Sequence, residues 1–306
     1  LKLDADRVQI KDFRFRLVNK TSESPLRDYG IDWKNLDIAV QNLMAHDISF
    51  KDGSIVGSVE NLRFGERSGY KVQELSGKVT IEKGRTLVEN LHLQDRWSDI
   101  SMNEYAMEYS GMASFSNYMD EVLMTGEILD SRIDMKSISY FAPSLRRMKS
   151  IVNLREAEVK GPVKDLSIKN FNFSESYSGV SGTLDGRLSG LPDIDRMTMD
   201  FRLGALGFTT KGLGQFIRGF APSAAVDLSG FASGTRFHFS GGAKGTLNRL
   251  QAKGDVTSAL GSLKADVSVR DLIEKGKAIG LGGNISARNL NVGRLAGIKQ
   301  IGETSL

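Results

Sequence analysis

Apolar and polar residues alternate along almost the whole chain. The stretch SGVSGTLDGRLSGLPDIDRMTMDFRL, Ser178 to Leu203, is typical. Apolar positions recur every second residue, and glycines interrupt at 179, 182, 186 and 190. Leu191-Pro192-Asp193 stops the pattern, and Met197, Met199, Phe201 and Leu203 resume it. Period two marks strands that bury one face. A shorter unit recurs within it: Asn or Asp, apolar, any residue, apolar. It appears at Asp12–Phe15, Asn35–Ile38, Asp47–Phe50, Asn61–Phe64 and Asn90–Leu93, then at Asp165–Ile168, Asn170–Phe173, Asp200–Leu203, Asp266–Val269 and Asn289–Val292. Asn and Asp tolerate left-handed backbone and bond to nearby main chain. Each unit therefore reads as a turn followed by a strand. The spacing is irregular, which excludes a fixed-period solenoid. More than twenty strand-like runs can be drawn, against about seven to nine strands in a sandwich domain.

Helical periodicity is confined to three short segments. Ser137 to Met148 carries Ile138, Phe141 and Leu145 at spacings of three and four, and Pro143 limits it to two short turns. Lys211 to Phe220 places Leu213, Phe216, Ile217 and Phe220 on one face. Val292 to Ile301 is the third. They read as caps or bridges between strands, with a partner- or membrane-contacting helix as the alternative. The fold predicted is mainly β: a long, curled, multi-stranded sheet forming an open groove, with a few short helices. Residues 1–134 carry more charge and longer strands; residues 135–306 are glycine-rich and of the same strand chemistry.

Composition sharpens this picture. Gly is frequent, at 33 residues, and Pro rare, at 5, so glycine serves folded strands rather than disorder. Glycines 179, 182, 186 and 190 are expected to relieve crowding where strands bend. A net charge of +4 with 25% charged residues does not resemble the clustered basicity of a nucleic-acid binder. The absence of Cys removes disulfides, thiolate metal sites and Cys nucleophiles. No run of 18 apolar residues is present. The chain begins at Leu1 without Met and reads as a piece of a longer protein, so missing targeting signals carry no weight.

Catalytic chemistry finds little to stand on. His46, His92 and His238 lie far apart, and the last two occupy polar positions of alternating runs. No nucleophile elbow is present. Gly280 to Ser286 lacks the strand-loop-helix setting of a nucleotide site. Asp193 and Asp195 flank a turn, and Arg146 to Lys149 suits a helix C-terminus. The expectation is a protein that is not an enzyme, without cofactor or metal.

The apolar faces remain. About 25 strand units side by side at about 4.8 Å would present one long greasy face that needs a cover. A strand of about eight residues spans roughly 26 Å, comparable to an extended acyl chain. Each methylene buried is worth about 0.8 kcal/mol, so transfer of an acyl chain from a bilayer into such a groove is nearly neutral. The expected lining is Leu166, Ile168, Phe171, Phe173, Met197, Met199, Phe201, Leu203, Phe237 and Phe239.

The segments from Tyr140 to Asp195 and from Ser240 to Asp271, followed by Ile285 to Gly297, resemble TamB/AsmA-type envelope proteins, most closely those of Bacteroidota. The features are a Gly-rich strand pair ending in Gly190-Leu-Pro-Asp193, a later run of Gly-x-aliphatic strands, and the turn at Asn289 to Leu295. The match covers residues 135–306; residues 1–134 are similar by pattern alone. The resemblance implies a periplasmic β-groove, anchored in the inner membrane by a segment absent here, that carries phospholipid toward the outer membrane. It also implies a BamA-like partner barrel, bound through a C-terminal domain not included in this sequence. A structural or chaperone-like scaffold offering strand edges to outer-membrane proteins stays open beside the lipid groove. A β-helix lyase or hydrolase would need a carboxylate cluster on one outer face, and none is visible.

Overall fold

The computed structural model describes residues 2–18, 29–33, 35–193, 196–224, 226, 228, 230–232, 234–272, 279–296 and 303–304. Fifteen strands form one antiparallel sheet, not closed into a barrel, whose spatial order matches chain order throughout. They are β1 (Lys2–Arg16), β2 (Asp37–Lys51), β3 (Ser54–Glu66), β4 (Lys71–Glu82), β5 (Arg85–Asp95), β6 (Asp99–Glu108), β7 (Leu123–Asp134) and β8 (Ile151–Gly161). After these come β9 (Asp165–Glu175), β10 (Ser181–Ser189), β11 (Thr198–Thr209), β12 (Arg236–Thr246), β13 (Arg249–Ser258), β14 (Gly261–Arg270) and β15 (Gly280–Arg288). A separate pair joins β16 (Leu290–Asn291) and β17 (Glu303–Thr304). The chain divides into two compact units, one of Leu1–Arg146 with Leu154–Leu166, the other of Arg147–Asn153 with Ser167–Leu306.

The helices are short and locally encoded: α1 (Tyr118–Glu121), α2 (Met135–Phe141), α3 (Thr210–Phe220) and α4 (Val292–Ala296). The Asp134 carboxylate caps α2 by accepting from the Lys136 amide at 2.9 Å. As expected from Pro143, α2 stops at Phe141 and a 3-10 turn takes over from Pro143 to Arg147. The Thr209 hydroxyl caps α3, accepting from the Gly212 amide at 3.0 Å. Of the third expected helix, Val292–Ala296 is helical and 297–301 lie outside the described residues.

The Asn and Asp units correct the sequence reading. Asp165 opens β9 and Asn289 directly precedes β16, but Asp12, Asp47, Asn90 and Asn170 lie inside β1, β2, β5 and β9, at left-handed φ values of 56°, 53°, 52° and 51°. They are kinks within strands rather than turns before them. A left-handed residue inserts an extra position, which bends the strand and flips the parity of the residues beyond it. In β2 the apolar positions Leu43 and Ala45 are succeeded by Ile48 and Phe50; in β5 Val88 gives way to Leu91 and Leu93; in β9 Ile168 gives way to Phe171 and Phe173. The β2–β3 register shifts between His46 and Ser49, and the β4–β5 register between Ser76 and Lys78. Ala205, at φ 47°, does the same in β11, where Leu203 is succeeded by Leu206 and Phe208. Strict period two would send the second set to the polar face. Each kinked strand also reads as two, which is why more than twenty runs resolve into strands of 9 to 15 residues in the sheet.

Asn90 tests this device. Asn90→Gly should stay within about 1 kcal/mol of the parent. Asn90→Val should cost about 2 kcal/mol, because left-handed φ strains a β-branched residue. Urea denaturation of both variants decides; equal stability would show that the kink does not depend on left-handed backbone.

Candidate apolar-binding face

In the first unit, cross-strand partners on one face are apolar from strand to strand. Val40 lies opposite Phe64 and Leu43 opposite Leu62. Leu75 meets Leu93, Val88 meets Tyr105, and Met102 meets Ile128. Near the strand ends one row crosses seven strands, apolar but for Thr86: Leu3, Phe50, Ile55, Ile81, Thr86, Met107, Met124. The opposite face carries ion pairs, Lys78 to Glu89 at 3.0 Å and Arg85 to Glu104 at 3.9 Å.

Part of this apolar face is covered by the protein itself. Ile31, Tyr70 and Val72 are buried, with Phe64, Leu75, Tyr140 and Phe141 packed on them. The Ile31 amide donates to the Tyr140 carbonyl at 2.7 Å. The Trp33 ring stacks on Tyr118 at 5.8 Å, and the Tyr118 hydroxyl lies 3.0 Å from that of Tyr105. Burial pushes both phenols above the usual tyrosine range. The seven-strand row is more open: Leu3 is 61% exposed, Ile55 41% and Ile81 37%.

The second unit repeats the sidedness with smaller residues. Met199 pairs with Leu188 and Gly245, Phe201 with Gly186 and Ala243, and Leu203 with Leu184 and Gly241. Phe239 pairs with Leu206 and Val256, and Phe237 with Phe208. All five expected residues on these strands therefore share one face. A Cβ at Gly186 would stand 2.6 Å from the Phe201 ring, and one at Gly241 2.9 Å from the Phe239 ring. Glycine is needed there because the neighbouring strand's backbone comes closer still, through the Asp200 carbonyl at Gly186 and the Lys253 carbonyl at Gly241. Gly182 likewise meets Leu206 closely, whereas Gly179 and Gly190 adopt positive φ in turns. The other face is wet: Lys244 pairs with Asp200 at 2.8 Å and Lys253 with Asp266 at 3.0 Å.

The expected lining residues differ in cover. Ile168, Phe173, Phe237 and Phe239 are buried. Phe171, Met197, Met199, Phe201 and Leu203 are half-buried, as is Leu166, which belongs to the first unit. Phe173 lies 6.2 Å from Phe216 of α3, and Phe216 lies 4.9 Å from Phe220. Ile217 packs with Ala221, Ala224 and Leu272. Helix α3 thus caps the apolar face at this end. Phe237 sits in a closed cluster with Ala232, Leu260, Ala287 and Leu290.

Sequence reasoning missed the carboxylates that close strand ends. Glu66 accepts from the Ser68 amide at 2.7 Å, and Asp95 from Trp97 and Ser98 at 2.6 and 2.7 Å. Glu175 accepts from Tyr177 and Ser178 at 3.1 and 2.7 Å and from the Ser150 hydroxyl at 3.1 Å. The signal was an acid two residues after the second apolar position, as in Phe64-Gly-Glu66, Leu93-Gln-Asp95 and Phe173-Ser-Glu175. His92 and His238 occupy polar strand positions, as their alternation implied. His92 lies 2.8 Å from Asp99 and 3.7 Å from Glu74, neighbours that only strand pairing brings close. Among the described residues no group of three or more His, Asp or Glu could hold a metal ion, and no helix is long and apolar enough to cross a membrane. Comparison with protein-family models, curated proteins and solved structures finds no match to the chain.

Burial alone would raise the pKa of Glu175, but hydrogen bonds from Ser178, Tyr177 and Ile151 outweigh it and hold the carboxyl below its usual range. A depressed folded-state pKa stabilises above the unfolded value, and that stability is lost as pH falls through the folded one. The parent should therefore lose stability on acidification below the usual carboxylate range more steeply than Glu175→Gln. Unfolding curves of both proteins across that range check the sign; parallel pH profiles would remove the assignment.

Proposed function

We propose that this chain is a non-catalytic segment of a lipid-carrying β-groove, which holds phospholipid acyl chains against its apolar face and passes them between the membranes of a cell envelope. The observation that carries the reading is the row from Leu3 to Met124, whose members Leu3, Ile55 and Ile81 remain exposed. An extended apolar surface left in solvent marks a partner that is itself apolar. Each acyl methylene taken up gains about 0.8 kcal/mol relative to water and almost nothing relative to a bilayer. That balance suits a carrier, which must release what it binds. Trp33 and Tyr118 cover part of the first unit's face, so acyl chains there track the open row. The resemblance to TamB/AsmA-type proteins supplies the periplasmic setting and the partner barrel as parts of the same proposal.

A scaffold for outer-membrane proteins draws support from a different observation. β15 is a sheet edge whose Leu281 and Ile285 are 75% and 62% exposed. Such an edge accepts an added strand.

Met199 and Asp200 separate the two faces by one residue. Met199 is half-buried on the apolar side, and Asp200 is exposed and paired with Lys244. Met199→Arg should leave the sheet folded, since the long side chain can carry its charge outward, yet lose most cross-linking to a photoactivatable acyl chain. Asp200→Arg should keep parental labelling. Lipid extraction of the purified protein gives the parental baseline. Absence of lipid from the parent, or equal labelling of the two variants, would count against the groove. Outright unfolding of Met199→Arg would mark a closed core and favour the scaffold.

A further inference from the structure

One ladder in the first unit parts and rejoins. β3 and β4 pair from Ile55–Ile81 to Val59–Gly77, and again at Phe64–Val72 and Gly65–Lys71. The register is the same on both sides of the break, so the ladder lapses across 60–63 and 73–76 without a net slip. Backbone groups turned toward the gap lack ladder partners, and the Arg63 Nε–H donates to the Gln73 carbonyl at 3.1 Å. A cleft of about 810 Å³ lies at the end of this gap. Its lining joins two kinds of chemistry. Phe64, Trp97 and Tyr140 are apolar, and Phe64 belongs to the unit's apolar face. Arg63, Lys71 and Arg96 are exposed cations, and none of the three forms an ion pair among the described residues. The acid in the lining, Glu74, faces His92 at 3.7 Å.

We propose that this cleft binds the phosphate-bearing head of an amphiphile, with Arg63, Lys71 and Arg96 on the phosphate and the tail entering toward the apolar face where the ladder lapses. Charge-assisted hydrogen bonds from guanidinium and ammonium groups suit a phosphate oxygen cluster. Phe64 and Trp97 suit the first carbons of a tail. The proposal rests on the reading that the apolar face takes acyl chains, and it adds a place and a charge for the head.

The test titrates the protein with dihexanoyl phosphatidic acid below its micelle concentration, by calorimetry. Glycerol 3-phosphate and inorganic phosphate serve as tail-free probes, and dihexanoyl glycerol as a head-free one. Phosphatidic acid should bind at least tenfold more tightly than any of the three. The triple variant Arg63→Gln/Lys71→Gln/Arg96→Gln should lose at least tenfold in affinity. The variant Lys244→Gln/Lys253→Gln/Lys264→Gln, which removes the same charge from the second unit, should bind as the parent does. Parental binding by the first triple variant, or equal loss in both, overturns the site. Equal affinity for tail-free phosphate reduces it to an anion site and overturns the amphiphile. If acyl cross-linking at Met199 persists while the first triple variant binds as the parent does, the cleft fails and the groove stands. If short-chain phosphatidic acid binds through the three cations but no lipid co-purifies, the groove fails and the cleft stands.

Discussion

The structure depends on one constraint: each long strand must keep its apolar side chains on the same face while its backbone bends. A strand of 15 residues such as β1 would run about 50 Å if flat. Twist and bending over that length disturb the alternation, and a slip of one residue exposes half the apolar set. The kinks at Asp47, Asn90 and Asn170 answer both demands, since the left-handed residue bends the strand and resets parity in one step. Asn and Asp are suited to that position because they tolerate left-handed backbone better than other residues with side chains. The sidedness of the sheet results, and with it the separation of apolar from charged chemistry.

Ion pairs do little to hold the sheet. Lys244 with Asp200 and Lys253 with Asp266 are exposed on both partners, and such pairs are worth about 0–1 kcal/mol. The stabilising contacts lie at the strand ends, where the apolar face is closed by Tyr70, Val72, Tyr140 and Phe141 in one unit and by Phe173 and Phe216 in the other. Buried Glu66, Asp95 and Glu175 lock the turns there, each accepting backbone amides that would otherwise be left without partners. In the seven-strand row from Leu3 to Met124, Leu3, Ile55 and Ile81 remain exposed.

Period two revealed the fold class, because alternation is a property of each strand alone. Pro143 and the Thr209 cap likewise act within a few residues, so α2 and α3 were legible. Parity inside kinked strands was not. Asn170 looks the same in sequence whether it opens a strand or bends one; only the fold shows it inside β9, its amide donating to the Asp185 carboxylate at 2.8 Å. The shared face of Met199, Phe201 and Leu203 was legible for the same local reason as the strand. The burial of Phe237, and the cover of Trp33 over Tyr118, depend on segments distant in sequence, and no periodicity reports them. The parted ladder between β3 and β4 is a relation between two strands, each of which alternates normally by itself.

The two edges of the sheet differ, and the difference bears on what the protein meets. Eight of the fifteen residues of β1 are charged, and Asp12 kinks it. Charge and bulging are the devices that keep an edge strand from pairing with another chain. Its apolar side chains Leu3 and Phe13 are nonetheless 61% and 51% exposed. The edge of β1 is guarded while its face is not, a combination that discourages a strand joining the edge. β15 has no such guard, with Arg288 as its single charge and glycines at 280, 282 and 283. Of the two outermost described strands, β15 is thus the better suited to an added strand. Under the proposed reading, acyl chains, which need neither hydrogen bonds nor a register, are opposed at neither.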